Sequence, residues 1–329
     1  MRTNCTRTNC THWGLIALLL LLVAPWAGAQ TPRYPEKPVR VVVGYAPGGL
    51  PDTVARVAAQ KLTERWGQQV FVENRAGANT NIAAEYVSNA AADGYTLFVT
   101  DNSTNAINPF LYKKLTYDPK SLAPVTLLAR APLYLAAHNS FPANSYAEMV
   151  ALLKANPGKY TYGSSGIGST HHLCMEFLKA MLGVDITHVP YKGTGQSVPA
   201  VVAGDVALVW SAYPSLAPHA KEGKIKLLAV NSLKRSTSAP NLPAVAETIP
   251  GFDFAPTIGI FAPLATPRSL VLKIAADANE AIRSQDAVQR LAALDIQSIG
   301  TSPEEYAASL KADEERYAKA VKISGASAD

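Results

Sequence analysis

The sequence predicts an α/β fold of about two domains. Short β-rich runs alternate with helix-period stretches from Val39 to Ala262. One unit, a strand running through a glycine-rich loop into a helix, occurs twice, at Val43–Asp52 and at Tyr162–Thr170. The chain has 329 residues, enough to build a large core without crosslinks.

Residues Met1 to Ala29 read as a secretory signal, with Arg2 and Arg7 before the apolar run Gly14–Ala24 and a small-residue cleavage site at Ala27-Gly28-Ala29. Cleavage after Ala29 is expected. No later stretch is as long and apolar, so the mature chain is expected to be soluble. Of three cysteines, Cys5 and Cys10 lie in the signal, and Cys174 alone cannot form an internal disulfide. Loss of Arg2 and Arg7 takes the formal charge from +5 to +3. No dense Lys/Arg stripe exists, so nucleic-acid binding is unsupported.

The elements follow in order. Val39–Gly44 is the first strand and Asp52–Trp66 a helix stopped by Gly67. Val70–Glu73 is a strand, Thr80–Ala91 an Ala-rich helix and Tyr95–Thr100 a strand after the Asp93-Gly94 turn. Near Ala129 the chain crosses into a second unit. Ser145-Tyr146-Ala147-Glu148 is a capping box for a helix to about Asn156. Tyr160–Gly163, Ile186–Val189, Val206–Trp210 and Leu227–Val230 are strands; Ser169–Met181, Thr194–Ala203 and Pro214–Glu222 are helices. The aperiodic segment Ser236–Pro250 reads as the return crossing to a strand at Thr257–Ala262. Thr266-Pro267 opens a helix to about Arg283, with Pro at its first position, and Ser302-Pro303-Glu304-Glu305 opens the last helix.

The turn Tyr45-Ala46-Pro47-Gly48-Gly49-Leu50-Pro51-Asp52 leaves backbone N–H groups at a helix start, an anion site by donor geometry and dipole. Asp52 is placed to cap the helix, and Tyr45 to stack on a ligand or donate its hydroxyl. The same residues also suit a tight turn with no ligand. Gly163-Ser164-Ser165-Gly166-Ile167-Gly168-Ser169-Thr170-His171-His172 is a second such loop, suited to a carboxylate or phosphate. It fails the nucleophile elbow at Ile167, the P-loop for want of Lys, and the dinucleotide fingerprint at His171. His171 and His172 point to different helix faces and make a poor metal pair, one buried and one exposed. Tyr191-Lys192-Gly193 offers a cation that could pair with an anion, although a lone lysine is more commonly a solvated surface residue. Asn74–Asn81 and Thr100–Asn105 add polar loops after strands, where open α/β sheets bind ligands. Trp210 and Tyr213 after a further strand suit core packing or a ligand wall. No metal or cofactor is expected.

Six motifs occur in order: Tyr45-Ala-Pro-Gly-Gly-x-x-Asp52, Glu73-Asn-Arg-Ala-Gly77, Asp93-Gly-Tyr-Thr96, Leu111-Tyr-Lys-Lys114 with Tyr117-Asp-Pro119, Ser164-Ser-Gly166 and His188-Val-Pro-Tyr-Lys-Gly193. Together they resemble the Bug or TctC family, the substrate-binding proteins of tripartite tricarboxylate transporters, over about Tyr34 to Ser324. The resemblance implies a two-lobed periplasmic binding protein (type II), with a ligand cleft between the lobes and crossing hinge segments. Lobe 1 would be residues 30–131 plus 250–329, and lobe 2 residues 132–249. It implies a monomeric receptor that captures a small carboxylate, dicarboxylate or aromatic, and delivers it to membrane subunits. The expected ligand-binding residues are Tyr45, Pro47, Gly48, Gly49, Leu50, Asn81, Asn102 and Ser103 on one side. On the other they are Ser164, Ser165, Gly168, Ser169, Thr170, His171, Tyr191, Lys192, Trp210 and Ser211. Family relatives often carry Phe-Asp-Asn where Trp210-Ser211-Ala212 stands, and the missing acid disfavours amino-acid ligands. Two other functions use the same residues: a secreted hydrolase pairing Ser165 or Ser169 with His171 or His172, and a sensor for a membrane receptor kinase.

Overall fold

The computed structural model describes Met1 and residues 34–328. The signal and its cleavage site lie outside the described residues. Lys37–Asp329 form one compact unit. In chain order its strands and helices are β1 (Val39–Val43), α1 (Leu50–Trp66), β2 (Val70–Asn74), α2 (Asn81–Ser88), β3 (Thr96–Thr100), α3 (Asn108–Leu111), β4 (Leu122–Arg130) and β5 (Leu133–His138). There follow α4 (Tyr146–Ala155), β6 (Thr161–Ser164), α5 (Thr170–Leu182), β7 (Thr187–Pro190), α6 (Thr194–Ala203), β8 (Leu208–Ala212), α7 (Tyr213–Lys221) and β9 (Ile225–Val230). The chain ends with β10 (Thr257–Pro263), α8 (Arg268–Arg283), α9 (Gln285–Ala292), β11 (Gln297–Ser298) and α10 (Pro303–Ser324).

Two sheets form, β11-β4-β10-β3-β1-β2 and β7-β6-β8-β5-β9. In the first, β1 pairs parallel with β2 and β3, and β10 runs antiparallel beside β3. In the second, β6 pairs parallel with β7 and β8, and β5 runs antiparallel beside β8. The sequence echo is thus a structural one, since β1 and β6 occupy the same place in the same local order. Each central strand leaves its sheet at a point where parallel neighbours diverge on either side, the position at which such sheets bind ligands. The chain passes from the first sheet to the second between Arg130 and Leu133 and returns after Val230. α10 lies across the join: Tyr317, Ala320 and Val321 share one apolar cluster with Ile107 and Leu111 from the first part of the chain and Leu173, Leu208 and Trp210 from the second.

Several elements depart from the sequence reading. The strands β4 and β5, whose inner residues are almost wholly buried, form where only a crossing was expected. Periodicity misses them because strands covered on both faces do not alternate. α2 begins at Asn81, one residue later than expected, because Ala78, Asn79 and Thr80 all take positive φ in a short 3-10 turn. α8 begins at Arg268, so Pro267 is its N-cap and not its first helical residue. Glu148 closes no reciprocal box: Ser145 Oγ accepts from Glu148 N, but Glu148 itself accepts from the Asn144 N–H. Ser302 and Glu305 do form the reciprocal box that opens α10.

Candidate functional site

The first loop follows β1. Gly48 takes φ +85°, which opens the turn, and Gly49 is the N-cap of α1. Asp52 sits in the first turn of α1 and is not the N-cap. Its carboxylate accepts from Gly48 N (2.9 Å), Arg56 Nε (2.9 Å) and Asn74 Nδ2 (2.8 Å). Burial pushes the Asp52 carboxyl up, but these three donors outweigh it and hold it below the ordinary value. The Gly48 N–H is therefore committed within the protein. The N–H groups of Gly49 and Leu50 have no acceptor among the described residues, and a Cβ on Gly49 would meet only ordinary contacts.

Tyr45 donates to Asp101 Oδ1 (2.8 Å) and bonds Ser103 Oγ (3.0 Å), while Asn74 donates to its carbonyl (2.9 Å). Burial raises Asp101, and burial beside Asp101 raises Tyr45, so the phenol keeps its proton. Asp101 was not among the expected site residues; its place directly after β3 is the signal that marks it. Asn102 is fully committed, donating to Thr257 Oγ1 (2.7 Å) and to Asp313 and accepting from Thr257 N. Asn81 accepts from Asn108 Nδ2 (2.7 Å), which also bonds the Asn79 carbonyl.

The second loop follows β6. Ser164 is buried and its Oγ lies 2.7 Å from His188 Nε2; Ser165 Oγ lies 2.7 Å from His171 Nδ1. Gly168 N donates to His172 Nδ1 (3.0 Å), and Ser169 caps α5 by accepting from His172 N (3.3 Å). His172 stacks on His188 at 4.1 Å, and His188 on Tyr162 at 4.8 Å. Burial pulls His171, His172 and His188 each down to about 4, so all three are neutral at pH 7. Neither adjacent histidine is exposed, contrary to expectation, and both are hydrogen-bonded. Thr170 Oγ1 is buried without a partner among the described residues, as are Ser211 Oγ and Trp210 Nε1. Trp210 and Ser211 are both fully buried, Trp210 within the apolar cluster. Lys192 is exposed, with its N–H on Gln196 Oε1.

Gly168 of the second loop abuts α3. A Cβ there would lie 1.8 Å from Leu111 Cδ2, so the absent side chain is what lets α3 seat against the second loop. Leu50 of the first loop packs on the same cluster. Leu50 of the first loop and Leu111, which abuts Gly168 of the second, thus belong to one apolar body, Trp210 is enclosed in that body, and Ser211 is buried. The arrangement suits an anion held by backbone N–H groups and hydroxyls. For acyl transfer it is poorly built. His171 receives no carboxylate bond among the described residues, and a base near 4 abstracts a proton weakly at pH 7.

The model of the tripartite tricarboxylate transporter family receptor matches residues 54–325. The fold is similar to that of R. palustris Rpa4515 with adipate, at 33% identity and TM-score 0.85 over 89% of this chain and 99% of that one. It is similar to MatC (Rpa3494) from Rhodopseudomonas palustris with bound malate, at 31% identity and TM-score 0.80 over 88% and 100%. Protein BugT of Bordetella pertussis (strain Tohama I) is 31% identical over 319 residues, covering 95% of this chain and 98% of that protein.

Proposed function

Because the chain belongs to the tripartite tricarboxylate transporter receptors, the Bug or TctC family of solute-binding proteins, we propose that it captures a small dicarboxylate in the periplasm and delivers it, unchanged, to membrane transporter subunits. One observation carries the reading. Two strand-to-helix loops, each with donors at a helix start, stand at the equivalent strands of two sheets, the first with Leu50 packed on the apolar cluster and the second with Gly168 against Leu111 of that cluster. One carboxylate would sit on the Gly49 and Leu50 N–H groups, the other on the hydroxyls of the second loop, with Thr170 Oγ1 as a donor still without a partner. Relatives solved with adipate and with malate support an aliphatic diacid. The burial of Trp210 takes away one of the two side chains, Trp210 and Tyr213, of the wall proposed for an aromatic ligand.

The lobes would be residues 30–131 with 250–329, and residues 132–249. They would close about the crossings that leave β4 and β9. Calorimetric titration with adipate and with malate tests the reading. Saturable binding of one equivalent, lost in Gly49→Leu while the melting temperature holds, is the expected result. Neither diacid binding, or equal affinity in Gly49→Leu, would overturn it. Hydrolysis of an ester substrate that depends on Ser165 would favour an enzyme.

A further inference from the structure

Behind the crossings lies a cavity of about 660 Å³, on walls that no part of the capture site uses. Its size falls in the range that holds small ligands, roughly 300–1,000 Å³. The crossing from β4 contributes Arg130 and Pro132, the crossing from β9 contributes Ser232 to Thr237, and α9 with the turn beyond it supplies the opposite side.

The charge on these walls is uneven. Arg130 pairs with Asp253, and Arg235 with Glu247. Arg283 donates to the carbonyls of Ile299 and Gly300 (2.8 Å each) and forms no ion pair among the described residues. Lys234 has no carboxylate partner among the described residues. The one lining carboxylate, Asp295, accepts from the hydroxyls of Tyr134 (2.5 Å) and Ser238 (3.0 Å). Four lining cations thus face three carboxylates, counting their ion-pair partners.

The remaining wall mixes apolar side chains with the neutral polar ones of Ser232, Ser236, Thr237, Gln297 and Ser298. Leu233 and Val288, 54% and 40% exposed, both line the cavity, over a floor that includes the buried Ala255 and Ile296. Large apolar side chains held open to water beside unneutralised cations are the chemistry of an amphipathic anion site. A surplus of one charge and the lack of an aromatic wall fit a nucleotide poorly. We propose that this cavity is a second binding site, for a small monoanion with an aliphatic body, distinct from the capture site between the two loops.

Octanoate is a suitable probe, titrated into the purified protein and followed by amide chemical shifts. Saturable shifts are expected at Leu233, Lys234, Ala292 and Ile296. Ala292 is an exposed position on α9 that lines the cavity, so Ala292→Trp fills the space without entering the core. It should weaken octanoate at least tenfold, and Lys234→Glu should do the same by reversing the local charge. Shifts confined to Gly48–Leu50 and Ser164–Thr170 would mean that octanoate only mimics the captured solute, and would overturn the second site. Unchanged affinity in both variants would also overturn it. Neither result bears on whether adipate or malate binds between the loops.

Discussion

Gly168→Ala tests the contact that seats α3 against the second loop. The residue has φ +74°, where an L side chain costs about 1–2 kcal/mol. The new methyl would also lie 1.8 Å from Leu111 Cδ2, a position no real Cβ occupies. Leu111 is 2% exposed and packed in the shared cluster, so its displacement is an overpacking of about 1–3 kcal/mol. The single variant should therefore lose about 2–5 kcal/mol in urea unfolding. Leu111→Ala alone leaves a cavity and should cost about 2–5 kcal/mol. The double variant separates the two causes. With Leu111 truncated the steric part vanishes and only the backbone part of Gly168→Ala remains. A coupling of about 1–3 kcal/mol is thus expected from the double-mutant cycle. Additive losses, with coupling under about 0.5 kcal/mol, would show that Gly168 is not there to admit Leu111 and would refute the account of how α3 seats against the second loop.

Four further outcomes follow from the geometry. Asp52→Asn removes a charged acceptor shared by Gly48, Arg56 and Asn74 and should cost about 1–2 kcal/mol at pH 7. Because the folded carboxyl lies below its unfolded value, that loss should be full above about pH 4 and shrink as pH falls through the depressed value, as read by denaturation at each pH. His171, His172 and His188, held near 4 against an unfolded value of about 6.5, should make the melting temperature flat above pH 6.5 and falling from there towards 4. The unfolded chain takes up the protons that the folded one refuses, and replacing His172 with Gln should flatten part of that slope. Asp295→Asn keeps a residue that tolerates φ +57° but weakens the acceptor for Tyr134 and Ser238; a loss of about 1–2 kcal/mol in chemical denaturation is expected.

Much of the fold was legible in the sequence because its signals are local. Thr194–Ala203 was read with its final bounds, since a glycine precedes it and Gly204 stops it in the left-handed conformation. The Ser302-x-x-Glu305 box fixed the start of α10 for the same reason, both partners lying within one turn. Strands β4 and β5 were not legible, as their burial on both faces removes alternation. The site divides in the same way. Gly48, Gly49 and the Ser164–Thr170 loop follow from backbone chemistry at a strand-to-helix turn. Asp101 beneath Tyr45 and Leu111 against Gly168 are partners 56 and 57 residues apart, and no spacing rule links them.

The sequence by itself determined the class of the protein and the two loops, because glycine, capping residues and apolar runs act through neighbours along the chain. It also carried the resemblance to the receptor family that the matches to residues 54–325 make firm. Only the tertiary structure decided which donors are free. Asn102 is bound to Thr257 and Asp313, and Trp210 is closed inside the core. A donor's availability depends on what folds against it, and the partners of Asn102 lie 155 and 211 residues away along the chain.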